Sequence, residues 1–316
     1  MLERIWERYG AAGLDAAAGI DAPSPEATLY LSMLAFADER YAEAATFAAR
    51  AAQAAPEDPL YGEGATYLAR VHREGKPNVY VSAEGFAAFI RGGGNVALYR
   101  ETSAALASHY PKEPFDLLDI GAGDGLALLP ALTPAVRNVT LVEPAAPLLE
   151  HCSSALTARG VPFDAFAGRL QDFTTDPATA PRRWAVAQAT YCLHAIAPAE
   201  RPPLLAWVRA HADALLIAEF DAPPMDQPLA PDIVRHVLGR YREGLAEYAG
   251  ADFDTVAQGF LMPVLFGYVD RGATRTTFEQ PIEEWEALLR GAGFARVERQ
   301  LLHRYWWAPA WMLVAR

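Results

Sequence analysis

Apolar residues recur at helical spacing through the Ala-rich first 75 or so positions, and Ser24-Pro25-Glu26 reads as a helix start, with serine as N-cap and proline at the first helical position. The stretch HREGKPN (72–78) breaks that pattern with polar residues, a glycine and a proline, and marks the clearest boundary. Residues 79–106 then predict a short extended piece, a helix, a triple glycine and a second helix. From 115 onward short apolar runs alternate with amphipathic ones. FDLLDI (115–120), VTLVE (139–143), VPFDAFAG (161–168), WAVAQATYCL (184–193) and ADALLIAEF (212–220) predict strands. LALLPALTP (126–134) and AAPLLEHCSSALTARG (145–160) predict helices between them. Prolines and helical segments interrupt the alternation over 221–277. A helix at 282–294 and two strands, 295–307 and 310–316, then close the chain. Such alternation implies an α/β fold with a parallel sheet covered on both faces.

Composition narrows the setting. A net charge of −12 argues against a general nucleic-acid binder, which needs clustered Lys and Arg. Two cysteines, Cys152 and Cys192, lie far apart in apolar company and suit a reducing compartment rather than a disulfide framework. MLERIWERYG lacks the apolar core of a secretory signal, and no run reaches the ~20 apolar residues of a membrane span. The expectation is a cytoplasmic protein that engages neither membrane nor nucleic acid.

The candidate chemistry begins where the first strand ends. In FDLLDIGAGDG (115–125), Gly121, Gly123 and Gly125 follow a buried strand and precede a helix, so that a ligand can approach bare backbone. A dinucleotide fingerprint places its third glycine where Leu126 stands, which disfavours a nicotinamide cofactor. The alternating glycines, with Asp119 ahead of them and Glu143 ending the next strand, resemble class I S-adenosylmethionine-dependent methyltransferases over about 113–220 and 280–316. FAGRLQDF (166–173) and WAVAQATYCLHAI (184–196) resemble further segments of that family, in the same order. The resemblance implies a Rossmann-like core with a mostly parallel seven-stranded sheet and S-adenosyl-L-methionine as cofactor. It assigns Asp119, Gly121 and Gly123 to the first cofactor motif and Glu143 to the ribose hydroxyls. The adenine loop departs from the family pattern. Arg169 stands where an acid is usual, so Asp172 or the backbone at Leu170 takes that role. The pre-core segment implies contacts to the methionine end from Asn95 and Tyr99.

Methyl transfer needs a base only if the nucleophile arrives protonated. His194, just past the fourth strand, is the first candidate. Tyr191 either lines the methyl path or belongs to the core, and Asp221 either binds a substrate amine, acts as a base or caps a helix. His236 and His303 are more remote. No histidine spacing indicates a metal, and Asp252-Phe253-Asp254 reads as a helix cap. Asn-Pro-Pro-Tyr is absent after the fourth strand, which disfavours methylation of a base amine. Aromatic residues at 258–269 and 303–312 favour a small, flat or apolar substrate. The expected organisation is a helical cap (1–75), a cofactor-covering segment (76–112) and a core (113–316) with a lid insertion at 221–277. Leu31, Ala44, Ala51 and Pro56 are similar in spacing to one tetratricopeptide repeat, so the N-terminal helices are a candidate surface for a protein partner or a second copy. The expected function is O- or N-methylation of a small molecule. The alternative is a non-catalytic cofactor-binding adaptor.

Overall fold

The computed structural model describes residues 1–21, 24–76 and 82–316; the short extended piece expected at the start of 79–106 lies outside them. The chain divides into two units, Met1–Asn95 with Met225–Thr274, and Val96–Pro224 with Arg275–Arg316.

The second unit is built on seven strands: β1 (Phe115–Ile120), β2 (Val136–Val142), β3 (Phe163–Phe166), β4 (Trp184–Thr190), β5 (Ala212–Phe220), β6 (Val297–Arg304) and β7 (Pro309–Ala315). They lie in the order β3-β2-β1-β4-β5-β7-β6. The first five pair in parallel, and β7 runs antiparallel to both β5 and β6. This is the Rossmann-like, mostly parallel sheet expected from the sequence. Residues of both parities are buried, among them Leu117, Leu118, Val186, Ala187, Leu216 and Ile217. That explains why these strands read as continuous apolar runs rather than alternating ones.

Several elements differ in their bounds from the sequence reading, and two of the differences have a local cause. β2 begins at Val136 rather than 139, because Arg137 finds a forked partner in Asp116 on β1, with N–O distances of 2.9 and 2.6 Å, and polar residues can therefore pair at that edge. The helix after the glycine turn is only Leu128–Ala131. Leu132 has already left the helical region, with φ −57° and ψ 130°, and Pro134 disfavours a helical Thr133 after it.

The first unit is helical. Leu2–Ala18, Pro25–Ala37, Tyr41–Ala54, Pro59–Glu74 and Ala83–Arg91 come from the N-terminal part. Pro231–Ala246, Ala251–Val256, a π turn at Ala257–Leu261 and Met262–Gly267 come from the interruption after β5. Ser24 caps the second helix as expected, its hydroxyl accepting from the Ala27 N–H at 3.1 Å. That helix is buried on every face, which its nearly uniform apolar composition allows. Sequence-distant partners join the two stretches. Tyr30 donates its hydroxyl to the Leu229 carbonyl at 2.7 Å, Arg242 meets Asp58 at 2.6 Å, and Lys76 meets Asp270 at 2.8 Å. Phe266 lies 5.3 Å, centroid to centroid, from both Phe36 and Tyr67.

Glycines allow close approaches in this unit. A Cβ on Gly85 would stand 2.7 Å from the backbone of Gly259 in the π turn. Gly92, Gly93 and Gly94 wrap onto Glu247 and Tyr248, and the Gly94 N–H donates to Glu247 Oε2 at 2.9 Å. Gly85→Ala is therefore expected to cost about 1–3 kcal/mol by overpacking, since backbone cannot yield as a side-chain tip can. Gly62→Ala, in a helix where a Cβ would meet nothing within 4 Å, should instead raise stability by about 0.5–1 kcal/mol. Denaturant unfolding of both variants checks the pair; a Gly85→Ala protein as stable as the parent would contradict the packing.

Candidate functional site

β1 lies between β2 and β4, so the chain reverses its direction of winding across the sheet at β1, and the carboxyl ends of β1 and β4 flank that switch point. Gly121 (φ 63°), Gly123 (φ 54°) and Gly125 (φ 83°) all adopt the left-handed conformation there. The outer two are also required by crowding. A Cβ at Gly121 would lie 2.6 Å from Cys192 Cβ, and one at Gly125 would lie 2.9 Å from Cys152 Sγ. Gly123 differs, because nothing lies within 4 Å of the place its Cβ would take. The turn is thus packed at both ends and bare in the middle.

Glu143 follows β2 directly and is buried. Its Oε2 accepts the Gly123 N–H at 2.9 Å and its Oε1 the Ala145 N–H at 2.8 Å. Each carboxylate oxygen keeps a further lone pair for a ligand donor. Asp119, near the end of β1, is buried as well and accepts from Gln188 Nε2 at 3.1 Å. Gln188 in turn accepts from the Tyr110 hydroxyl. Burial raises the Asp119 carboxyl to about 7, and neighbouring Glu143 adds to the rise.

Arg169 and Asp172 pair with each other at 3.1 Å on the exposed start of the helix Leu170–Thr175, and the Arg169 N–H donates to Asp172 Oδ2 at 3.3 Å. Leu170 itself is buried beneath them. Asn95 belongs to the helical unit, where its side-chain amide donates to the Phe89 carbonyl at 2.9 Å and lies 3.3 Å from the Tyr248 hydroxyl. Tyr99 belongs to the sheet unit and sets its ring edge-on to Tyr191, with centroids 5.7 Å apart.

Tyr191 is strained. It holds φ 51°, unusual for a bulky residue, and its hydroxyl meets Thr102 Oγ1 at 2.7 Å. Burial raises its phenol far above the ordinary range. Its ring stacks on Phe220 at 4.8 Å, and Phe220 stacks on Tyr305 at 5.4 Å.

His194 sits in the short turn Leu193–Ala195 after β4. Its backbone N–H donates to Glu219 Oε1 at 3.1 Å, and its Nδ1 lies 2.9 Å from Glu219 Oε2. A carboxylate only accepts, so Nδ1 carries the hydrogen and Nε2 of the neutral ring is the proton acceptor. Burial pulls the imidazole down, but the charge and hydrogen bond of Glu219 outweigh it, and the net shift is upward. Asp221 serves elsewhere: its Oδ1 accepts the Ile282 N–H at 3.0 Å, at the head of the helix Ile282–Gly291, whose own N-cap is a proline with no acceptor side chain. His303 Nδ1 lies 3.0 Å from Glu101 Oε2, and His236 lies in the helical unit.

Glu219 had a sequence signal, as an acid within the apolar run of β5 that demands a buried partner. Gln188 and Thr102 had none, since each is fixed by a residue on a distant segment.

No family model matches the chain, and no curated protein matches it. Solved structures do. A candidate O-methyltransferase from Nostoc punctiforme PCC 73102 is 18% identical, with a TM-score of 0.46 over 69% of this chain; the match spans only 56% of that protein's length. The mitomycin 7-O-methyltransferase MmcR is 19% identical, with a TM-score of 0.44 over 98% of this chain and 79% of its own. The magnesium protoporphyrin IX methyltransferase ChlM from Synechocystis PCC 6803, solved with bound S-adenosylmethionine, is 12% identical, with a TM-score of 0.46 over 75% of this chain and 92% of its own. Values this low carry no functional inference, which must come from the strand ends themselves.

The His194–Glu219 contact has a pH signature. A histidine raised above its ordinary 6.5 contributes stability that is complete below that value and is lost as pH rises through the folded value. Glu219→Gln keeps the shape and removes the charge. The His194 pKa, read by NMR titration, should fall in that variant. The stability difference from the parent should be largest in acid and shrink toward alkaline pH.

Proposed function

We propose that this chain transfers a methyl group from S-adenosyl-L-methionine to a hydroxyl of a small molecule, with His194 accepting the hydroxyl proton and Glu219 holding the imidazole. The observation that carries this reading is the Nδ1 contact to a buried carboxylate, 2.9 Å long, at the carboxyl ends of β4 and β5. It fixes the tautomer and orientation of the ring and stabilises the imidazolium formed when Nε2 takes a proton. A hydroxyl nucleophile needs such a base, whereas a neutral amine does not, so the pair favours oxygen over nitrogen as acceptor.

The residues at the end of β1 suit the cofactor. Open space over Gly123 lets a ligand come close to the turn, and Glu143, held by the Gly123 N–H, stands beside it with lone pairs for two ribose hydroxyls. Asp119 and Gly121 shape the turn. The Leu170 backbone takes the adenine contact in this reading, because Arg169 and Asp172 are paired with each other. When bound, the cofactor supplies an electrophilic methyl group on a sulfonium. The chain's own part is to align the acceptor, keep water out and remove one proton. Tyr99, Tyr191 and Phe220 provide an aromatic wall suited to a flat or apolar acceptor.

Calorimetry should show S-adenosylmethionine binding and no NAD binding. Glu143→Ala should weaken the cofactor about tenfold or more, the loss expected for hydrogen bonds to a charged group. With an accepted substrate drawn from a panel of small hydroxylated compounds, His194→Ala should lower kcat by about 10²–10⁴ and leave cofactor affinity within about twofold. Turnover of the parent should fall as pH drops through the raised His194 value, because the protonated ring cannot act as base. Failure to bind S-adenosylmethionine, or full turnover by His194→Ala across pH, would overturn the reading.

A further inference from the structure

Arg201 is a charged residue buried in the sheet unit, with only 1% of its surface exposed. A guanidinium so placed has to find acceptors for its donors. Its Nε donates to the Ile196 carbonyl at 2.9 Å, and Nη2 reaches the His194 carbonyl at 3.4 Å and the Phe278 carbonyl at 2.6 Å. Nη1 donates to Gln280 Oε1 at 2.5 Å, and the group lies 4.5 Å from the Trp285 ring centroid. The acceptors fall into two sets. His194 lies within the turn Leu193–Ala195 and Ile196 directly follows it, while Phe278 and Gln280 belong to the segment leading into the helix Ile282–Gly291. The Phe278 N–H also donates to the His194 carbonyl at 2.8 Å. The main chain of His194 is therefore gripped from one side by this fork and segment, while Glu219 grips its N–H and ring from the other.

We propose that Arg201 is a positioning residue for the proton-accepting histidine: its planar fork ties the 193–196 turn to residues 278–280 and so holds the imidazole in register with Glu219. This rests on the reading of His194 as the base. A lysine cannot replace it, since an ammonium presents its donors from a single point and cannot span carbonyls on both segments. The charged groups that bear on the His194 ring are Glu219 on β5, Glu279 beside Gln280, and Arg201 itself. Glu279 in turn lies 3.9 Å from Arg275.

The test is Arg201→Lys, which keeps the cation and removes the fork, with Gln280→Ala as a milder variant that removes one acceptor without touching His194. Folding of each is verified by circular dichroism and by S-adenosylmethionine binding. The expected result is a kcat lower by about tenfold or more in Arg201→Lys, with the cofactor affinity within about twofold, as for a misplaced group remote from the binding contacts. The acid limb of the kcat profile should move to lower pH, because a looser contact gives up the hold of Glu219 on the proton while the positive charge is retained. Gln280→Ala should move both quantities the same way by less. An unmoved limb, with or without a lower kcat, overturns the proposal and leaves Arg201 a packing residue. NMR titration of the His194 ring reads the same shift without turnover. A parent protein that transfers no methyl group thus counts against the proposed function alone, and an unshifted ring in Arg201→Lys counts against the positioning role alone.

Discussion

An ionised carboxylate removed from water must be met by hydrogen-bond donors, and the carboxyl edge of this sheet carries three buried acids, on or just after β1, β2 and β5. Each is met by a donor, and for Glu143 and Glu219 that contact also fixes a loop. Glu143 draws in the N–H groups of Gly123 and Ala145, which sets the glycine turn against the entry to the next helix. Glu219 takes both the backbone and the ring of His194, which folds the chain after β4 back onto β5. Asp119 takes the amide of Gln188 from the neighbouring strand, and the Tyr110 hydroxyl holds that amide in one orientation. The loops at this edge are shaped by the need to compensate charge as much as by apolar packing.

The same need explains what was legible in the sequence. The parallel sheet was readable because strands buried on both faces carry consecutive apolar residues, as Leu117-Leu118 in β1, Val186-Ala187 in β4 and Leu215–Ala218 in β5 do. The glycine turn was readable because three left-handed residues in alternation leave few other choices. Glu143 could be picked out because it stands at a strand end next to that turn. The partner of His194 was harder, since Glu219 is 25 positions away and only the pairing of β4 with β5 brings them together. Asp221 shows the opposite limit. A carboxylate after a strand reads equally as a base or as a cap, and only the position of Ile282 shows which backbone group it meets.

The helical unit was the least legible part. Its N-terminal stretch read as helical, with one helix start at Ser24-Pro25, but its partners lie near 230–270, and nothing local in the sequence links Tyr30 to Leu229 or Lys76 to Asp270. The triple glycine is a case in point. Read locally it breaks two helices; in the fold it also leaves room for the Glu247 carboxylate and the Tyr248 ring.

That discontinuity has a consequence for how the chain acquires its structure. Residues 1–95 are made before β1 to β5, yet the helices that complete their unit, within 225–274, follow only after those strands. Until then the apolar surface destined for Phe266 and its neighbours has no native partner. Joining the two stretches requires closing a long loop that contains β1 to β5, a pairing of large sequence separation and correspondingly slow. The newborn N-terminal helices thus pass through a period of exposed apolar surface, in which premature release or interrupted synthesis favours aggregation over folding.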